Sequence, residues 1–311
     1  MKTYPRIAFM GTPKIASYIL EGLIEQGYNV VLDVANEDKP IGRKGNVEMV
    51  PTKVVANKYN IEVFQPHKIR LDYQRIKEVN PDLIVTCAYG QIVPQGLLDI
   101  PKLGAINVHG SLLPKYRGAS PIQQALINND TIAGVTIMEM IDKMDAGRMY
   151  YKKEIAIDEE ENYSSLYDKM MKTGLEALTE MLPDYIEGKN KGVEQDENQV
   201  TFCSKITKEQ EHLNVNDSIE SFLGWVKGLS YQPGGYLLWD NQVFKILKAK
   251  IKNHLVEGQI GEIIECDKNN LTLQLKDGQL SLLEVQKQGK NRMSYKDFVN
   301  GNKNFLHTLL K

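Results

Sequence analysis

Cysteine is scarce in this 311-residue chain. Cys87, Cys203 and Cys266 are odd in number, far apart and outside any CxxC or Cys/His ligand spacing, which argues against a disulfide framework and a zinc site. Long apolar runs are lacking as well. No stretch approaches the roughly 18 to 20 uninterrupted apolar residues of a membrane span, and the apolar run in the opening MKTYPRIAFMG is too short for a signal peptide. A cytoplasmic location without membrane attachment is therefore expected. Nor does one sign of charge dominate: a formal net charge of −2 does not by itself advertise nucleic-acid binding, although a basic patch can sit on a neutral total. The imbalance is local, since residues from Lys208 onward carry 14 Lys and Arg against 12 Asp and Glu, and the residues before it carry 24 against 28.

What is present describes a folded protein. The apolar fraction of 42% is far from that of a disordered chain, and the length suits two domains, each with its own core. In the first half, the apolar runs RIAFM, VVLDVA, IEVF, DLIVTCA and AINVH alternate with amphipathic stretches such as IASYILEGLIEQ and QRIKEV. That alternation predicts a doubly wound α/β domain, a parallel sheet covered on both faces. Ile15, Ile19, Gly22 and Leu23 have helical spacing, with Gly27 placed to end the helix. VTIMEM and RMYYKKEIAI read as further strands, and Met171, Leu175, Leu178 and Leu182 place one apolar stripe on a long helix after Glu159–Asn162. Residues 188–200 are polar, as a solvated linker would be. Beyond them a short helix carries Ile219, Phe222, Leu223 and Val226, with Asn216 or Asp217 to cap it. The strand-like runs GYLLW, QVFKILKAKI, GQIGEIIEC, LTLQLKDG and LSLLEV then follow without helices between them, predicting a small antiparallel β-barrel.

Two segments carry candidate chemistry. Gly11–Pro13 follows the first strand, where a doubly wound fold can bind phosphate, but GxGxxG is absent and a tight strand-to-helix turn is expected. The segment Gly104–Ile122, GAINVHGSLLPKYRGASPI, is more informative. Side chains alternate across a strand, so Asn107 and His109 share one face at its carboxyl end, where ligands sit in open α/β sheets. Downstream, GVTIMEMIDKMDAG places Asp142 and Asp145 in a Gly-flanked loop that a parallel sheet could bring beside that strand end.

With these segments the chain resembles the folate-dependent formyltransferase family over nearly its whole length. Asn107, His109 and Asp145 fall where the family has its catalytic Asn, His and Asp, and SLLPKYRGASPI matches its signature stretch. The resemblance implies folate contacts from Tyr89, Gly90, Gln91 and Ile92 in AYGQIVP, from Ser111, Leu112, Leu113 and Pro114 in the signature stretch, and from Ile141 and Asp142 in the loop. FMGTPKIA, KPIGRKG at Lys39–Gly45, VTFCSKITKEQ, QPGGYL and KNRMSYKDFVNG resemble landmarks of the family's tRNA-acting branch. Gln91 stands where an apolar residue is usual, and NEDKP where a QPD-like sequence is more frequent.

The organisation implied is a Rossmann-like formyltransferase domain over 1–189, a linker over 190–207, and a tRNA-binding barrel related to the oligonucleotide-binding fold over 208–311. The formyl donor implied is 10-formyltetrahydrofolate, and the acceptor the α-amino group of methionyl initiator tRNA. A monomer is expected. An α-amino group is partly neutral near pH 7, so a strong base is not the main need. Charge develops on the formyl oxygen, and donors aimed there contribute most, roughly 3 to 4 kcal/mol each. Asn107 and protonated His109 are assigned to that oxygen, with Asp145 holding the imidazole charged and relaying the amine proton. No metal is needed for these steps. Arg43, in the basic loop, is expected beside the tRNA acceptor end. Lys248, Lys250 and Lys252 alternate along one strand, share a face and are candidate phosphate contacts. A formyltransferase for a sugar nucleotide or other small amine would need neither the basic barrel nor the Lys39–Gly45 loop, and a binding module without catalysis would not need the complete Asn, His and Asp set.

Overall fold

A computed structural model describes residues 4–41 and 46–311. The chain forms β1 (Ile7–Gly11), α1 (Lys14–Glu25), β2 (Val30–Val34), a short hairpin of β3 (Lys39–Ile41) and β4 (Asn46–Glu48), α2 (Pro51–Lys58), β5 (Val63–Phe64), α3 (Gln74–Val79), β6 (Leu83–Cys87), α4 (Gln95–Leu98) and β7 (Ala105–His109). There follow β8 (Arg117–Gly118), α5 (Pro121–Ile127), β9 (Ile132–Glu139), β10 (Met149–Ala156), α6 (Tyr163–Ile186), β11 (Phe202–Cys203) and α7 (Ile219–Leu229). The last segment holds β12 (Tyr236–Trp239), β13 (Gln242–Asn253), β14 (Ile263–Cys266), β15 (Leu271–Leu275), β16 (Gly278–Lys287), β17 (Met293–Ser294) and α8 (Tyr295–Gly301). Among the described residues no helix is long and apolar enough to cross a membrane. Two units result, one of residues up to Gly118 with Ala133–Ile155 and Tyr167–Cys203, the other of Ala119–Ile132, Ala156–Leu166 and Ser204–Lys311.

The first unit is built on a seven-stranded sheet ordered β10-β9-β7-β6-β1-β2-β5. The five strands from β7 to β5 are mutually parallel, and β1 and β6 are buried throughout, as continuous apolar runs require. The expectation of a wholly parallel sheet fails at one edge: β9 runs antiparallel to β7, with His109 opposite Thr136 and Ile106 opposite Glu139. A parallel return needs a crossover packed on the sheet, and α5, the helix between these strands, belongs to the second unit. Helix α1 buries Ile15, Ile19, Gly22 and Leu23. It crosses α6 so closely that a Cβ on Gly22 would lie 2.2 Å from Leu175. Gly27, at φ +82°, follows the helix end as expected. One carboxylate stands among the buried strand residues. Asp33 in β2 is fully buried, and neither of its oxygens has a hydrogen-bond partner among the described residues. Burial pushes its carboxyl up to about 7, and the neighbouring Thr52 hydroxyl donates instead to Gly11 O at 3.1 Å.

In the second unit α5 packs on α7, where a Cβ on Gly224 would meet the Ile127 carbonyl at 2.4 Å. The expected strands form an antiparallel, curled half-barrel ordered β12-β13-β16-β15-β14, with β17 beside β16. Phe244, Phe298, Phe305 and Trp239 interlock at its core, with ring centroids 4.5 to 6.2 Å apart. Two details differ from expectation. The cap of α7 is Ser218, which accepts from Ser221 N at 3.2 Å. Asn216 and Asp217 are instead engaged with the Asn214 side chain one turn earlier. The helix α8 was not expected, although Ser294 caps it by accepting from Asp297 N at 3.2 Å, and a Ser three residues before an Asp is a start signal.

Candidate active site

Strand β7 delivers Asn107 and His109 two residues apart and therefore on one face. Thr86 on β6 lies opposite Asn107, and its hydroxyl donates to Asn107 Oδ1 at 2.8 Å. That contact turns the amide so that its NH2 group faces away from Thr86. His109 is buried, and its Nε2 lies 3.0 Å from the Tyr116 carbonyl oxygen. A carbonyl only accepts, so Nε2 carries a proton and donates. The other ring nitrogen, Nδ1, faces Asp145 Oδ1 at 3.7 Å, an ion-pair distance too long for a hydrogen bond. Asp145 Oδ2 accepts from Gly118 N at 2.8 Å.

The route by which Asp145 arrives differs from the expected one. Because β9 is antiparallel, its last residue pairs near the start of β7, where Met140 N donates to Ala105 O at 2.9 Å. The following loop must run back along the strand pair. Asp145 helps it turn by adopting a left-handed φ of +50°, uncommon for a residue with a side chain and tolerated best by Asp and Asn. Gly147 lies so near Glu139 that a Cβ would meet that carbonyl oxygen at 2.2 Å. Of the two loop carboxylates Asp145 reaches the histidine, whereas Asp142 is exposed, as is Ile141.

The signature stretch is pinned to the sheet. Thr136 Oγ1 accepts from Leu113 N at 3.0 Å and donates to Ser111 O at 2.7 Å, and Ser111 Oγ donates to Lys115 O at 2.6 Å. Ser111 and Leu113 are buried, while Leu112 and Pro114 are half-buried. In the Ala88–Pro94 loop Tyr89 is buried, Gly90 has φ +84°, and Ile92 is 82% exposed. The Gln91 amide is already engaged: Oε1 accepts from Ile69 N at 2.9 Å and Nε2 donates to Asn36 Oδ1 at 2.8 Å.

Arg43 lies outside the described residues. Among the described residues, Lys53 Nζ meets Asp38 Oδ2 at 2.5 Å and holds that carboxyl below the usual range. On β13, Lys248, Lys250 and Lys252 alternate with Ala249 and Ile251, but the pairing with β16 is irregular on both sides of Lys248 and between Ile251 and Asn253, so regular alternation onto one face does not run through all three. Lys248 pairs with Glu160 at 2.7 Å, Lys252 pairs with Glu265, and Lys250 stands exposed between them. Reasoning from sequence missed Thr86, whose signal was a lone hydroxyl in the apolar run DLIVTCA. It also missed Thr201, whose carbonyl accepts from Arg117 N at 2.9 Å and whose hydroxyl accepts from Tyr116 N at 2.9 Å.

Residues 5–182 match the formyl transferase family, and residues 205–303 its C-terminal domain. The chain belongs to the formyl transferase family. It is 41% identical over 298 residues, 95% of each chain, to a methionyl-tRNA formyltransferase of Lactobacillus acidophilus. Among solved structures, an N-formyltransferase from Helicobacter canadensis, in complex with folinic acid and dTDP-3-aminofucose, superimposes with a TM-score of 0.68 at 17% identity, covering 90% of this chain and 98% of that one. HypX from Aquifex aeolicus, in complex with tetrahydrofolic acid, gives 0.66 at 17% identity over 96% of this chain, which spans about half of HypX at 47%. At such identities the two structures speak for the fold.

Proposed function

We propose that the chain transfers the formyl group of 10-formyltetrahydrofolate to the α-amino group of methionyl initiator tRNA, as a cytoplasmic monomer with no metal in the reaction. The observation that carries this reading is the approach of Asp145 to His109, 3.7 Å apart, on the strand face that also bears Asn107. It is supported by near-full-length similarity to an enzyme named for that reaction.

The substrate amine attacks the formyl carbon, a C–N bond forms and charge gathers on the formyl oxygen. The Asn107 NH2, oriented by Thr86, donates to it. Tyr116 holds His109 Nε2, so Nδ1 is the ring atom left to donate, and the Asp145 carboxylate balances the imidazolium. Such donors, fixed before the reaction, contribute roughly 3 to 4 kcal/mol each. The amine then loses a proton to Asp145 through water, the oxyanion collapses with breakage of the C–N10 bond, and the same proton passes to N10 of the departing folate. The test is formylation of charged initiator tRNA against formylation of small amines under the same donor concentration. Faster turnover of an amino sugar nucleotide would replace the tRNA assignment with the small-amine one.

A further inference from the structure

Most of residues 188–200 are exposed, as their polar composition suggests, yet Gln195 is 8% exposed and its amide is fully used. Nε2 donates to the main-chain carbonyls of Asp145 and Gly147, both at 2.8 Å. Oε1 accepts from Arg117 Nε at 3.0 Å. Arg117 is itself 1% exposed, and its guanidinium meets Glu197 Oε1 at 2.9 Å. A guanidinium can only donate, so Arg117 decides which way the Gln195 amide faces and points both of its N–H groups at the loop.

We propose that Gln195 is a positioning residue for formyl transfer. It fixes the main chain of Asp145 in its left-handed conformation so that the carboxylate meets His109 and Gly118 N together. Residues Ile141 to Met144 of the same loop are exposed, so the loop is held from its far end, where Gln195 binds two carbonyls and Gly118 N binds the carboxylate. Arg117 and Gly118 are adjacent, and the two supports therefore move as one piece. A carboxylate displaced by about 1 Å loses on the order of a hundredfold in rate without losing substrate contacts made elsewhere. This inference rests on the reading of Asp145 as catalytic.

The experiment is a double-mutant cycle on the full chain, with 10-formyltetrahydrofolate and methionyl initiator tRNA as substrates. Gln195→Ala removes the amide. Gln195→Glu keeps an acceptor for Arg117 but sets a carboxylate against two carbonyl oxygens, and Gln195→Met keeps the side-chain volume if the alanine variant fails to fold. All three should lower kcat about 10- to 100-fold with KM for either substrate within about threefold. Combined with Asp145→Ala, each should cost no more than about twofold beyond Asp145→Ala alone, because both act through one carboxylate. A kcat near wild type in the folded Gln195 variants, or a loss that multiplies onto Asp145→Ala, overturns the positioning role. Full activity in Asp145→Ala itself overturns the catalytic reading instead.

Discussion

Gln91 and Asn36, 55 positions apart in sequence, are hydrogen-bonded to each other, with Gln91 Nε2 donating to Asn36 Oδ1 at 2.8 Å. Asn36 Nδ2 in turn reaches Thr12 Oγ1 at 3.0 Å and Tyr89 O at 2.5 Å. One amide pair thus joins the loops that follow β1, β2 and β6. Replacing Gln91 with Leu leaves Asn36 Oδ1 and Ile69 N without these partners and should cost about 1 to 3 kcal/mol of stability. Folate affinity should change less than about threefold, since the amide is turned toward protein. Denaturant unfolding together with folate binding checks this, and a large affinity loss with unchanged stability would place Gln91 on the ligand.

Catalysis should depend on the pair held at 3.7 Å. His109→Ala or Asp145→Ala should slow single-turnover formylation at least about a hundredfold with folate binding largely kept. Normal single-turnover rates in either variant would remove that residue from the chemistry.

Thr86 offers a subtler test, because it is buried and its hydroxyl is bonded to Asn107. Thr86→Val keeps the shape but removes the donor to Asn107 Oδ1, freeing the amide to rotate, and should lower kcat about 5- to 30-fold. Thr86→Ser should retain most of the rate. Equal rates in valine and wild-type proteins would show that packing alone holds the amide.

Asp33 predicts how stability varies with pH. Burial raises its carboxyl to about 7, against about 4 in an unfolded chain. Between those values the folded state holds a proton that the unfolded state releases, so stability is full below about pH 4 and falls as pH rises, with the whole loss reached above about pH 7. The loss is on the order of 4 kcal/mol. Asp33→Asn, neutral throughout, should be more stable than wild type near about pH 8 and lose that advantage toward about pH 4. Unfolding curves with a constant difference across that range would contradict it.

For the half-barrel lysines, pairing changes the expected weights. Glu160 and Glu265 already neutralise Lys248 and Lys252, so a tRNA phosphate gains most from Lys250. Lys250→Ala should lower the logarithmic salt slope of tRNA binding by about 0.7 to 0.9, and Lys248→Ala by less. Identical slopes in a salt series for Lys250→Ala and wild type would move the phosphate contacts elsewhere, with Arg43 the next residue to test.

How much of this was legible beforehand follows from the range of the forces involved. Periodicity two and periodicity 3.6 are local, so the strands of the seven-stranded sheet, β12 to β16, α1, α6 and α7 could be read directly, whereas the short strands β3, β4, β8, β11 and β17 could not, and the alternation across a strand sufficed to put Asn107 and His109 on one face. Strand direction is not local. Whether β9 returns parallel or antiparallel depends on where α5 packs, which no spacing in GVTIMEMIDKMDAG records, and with it went the path of Asp145. Gln195 was hidden for a related reason: a polar residue in a polar segment looks solvated until a buried guanidinium from Arg117, 78 positions away, is found against it. The sequence by itself determined the two architectures and singled out the candidate residues for the chemistry, because burial patterns and motif spacing are written along the chain. Only the tertiary structure decided by what path Asp145 comes to the histidine, which way the Asn107 amide faces and what holds the loop, because those depend on strand direction and on hydrogen bonds between residues far apart in sequence.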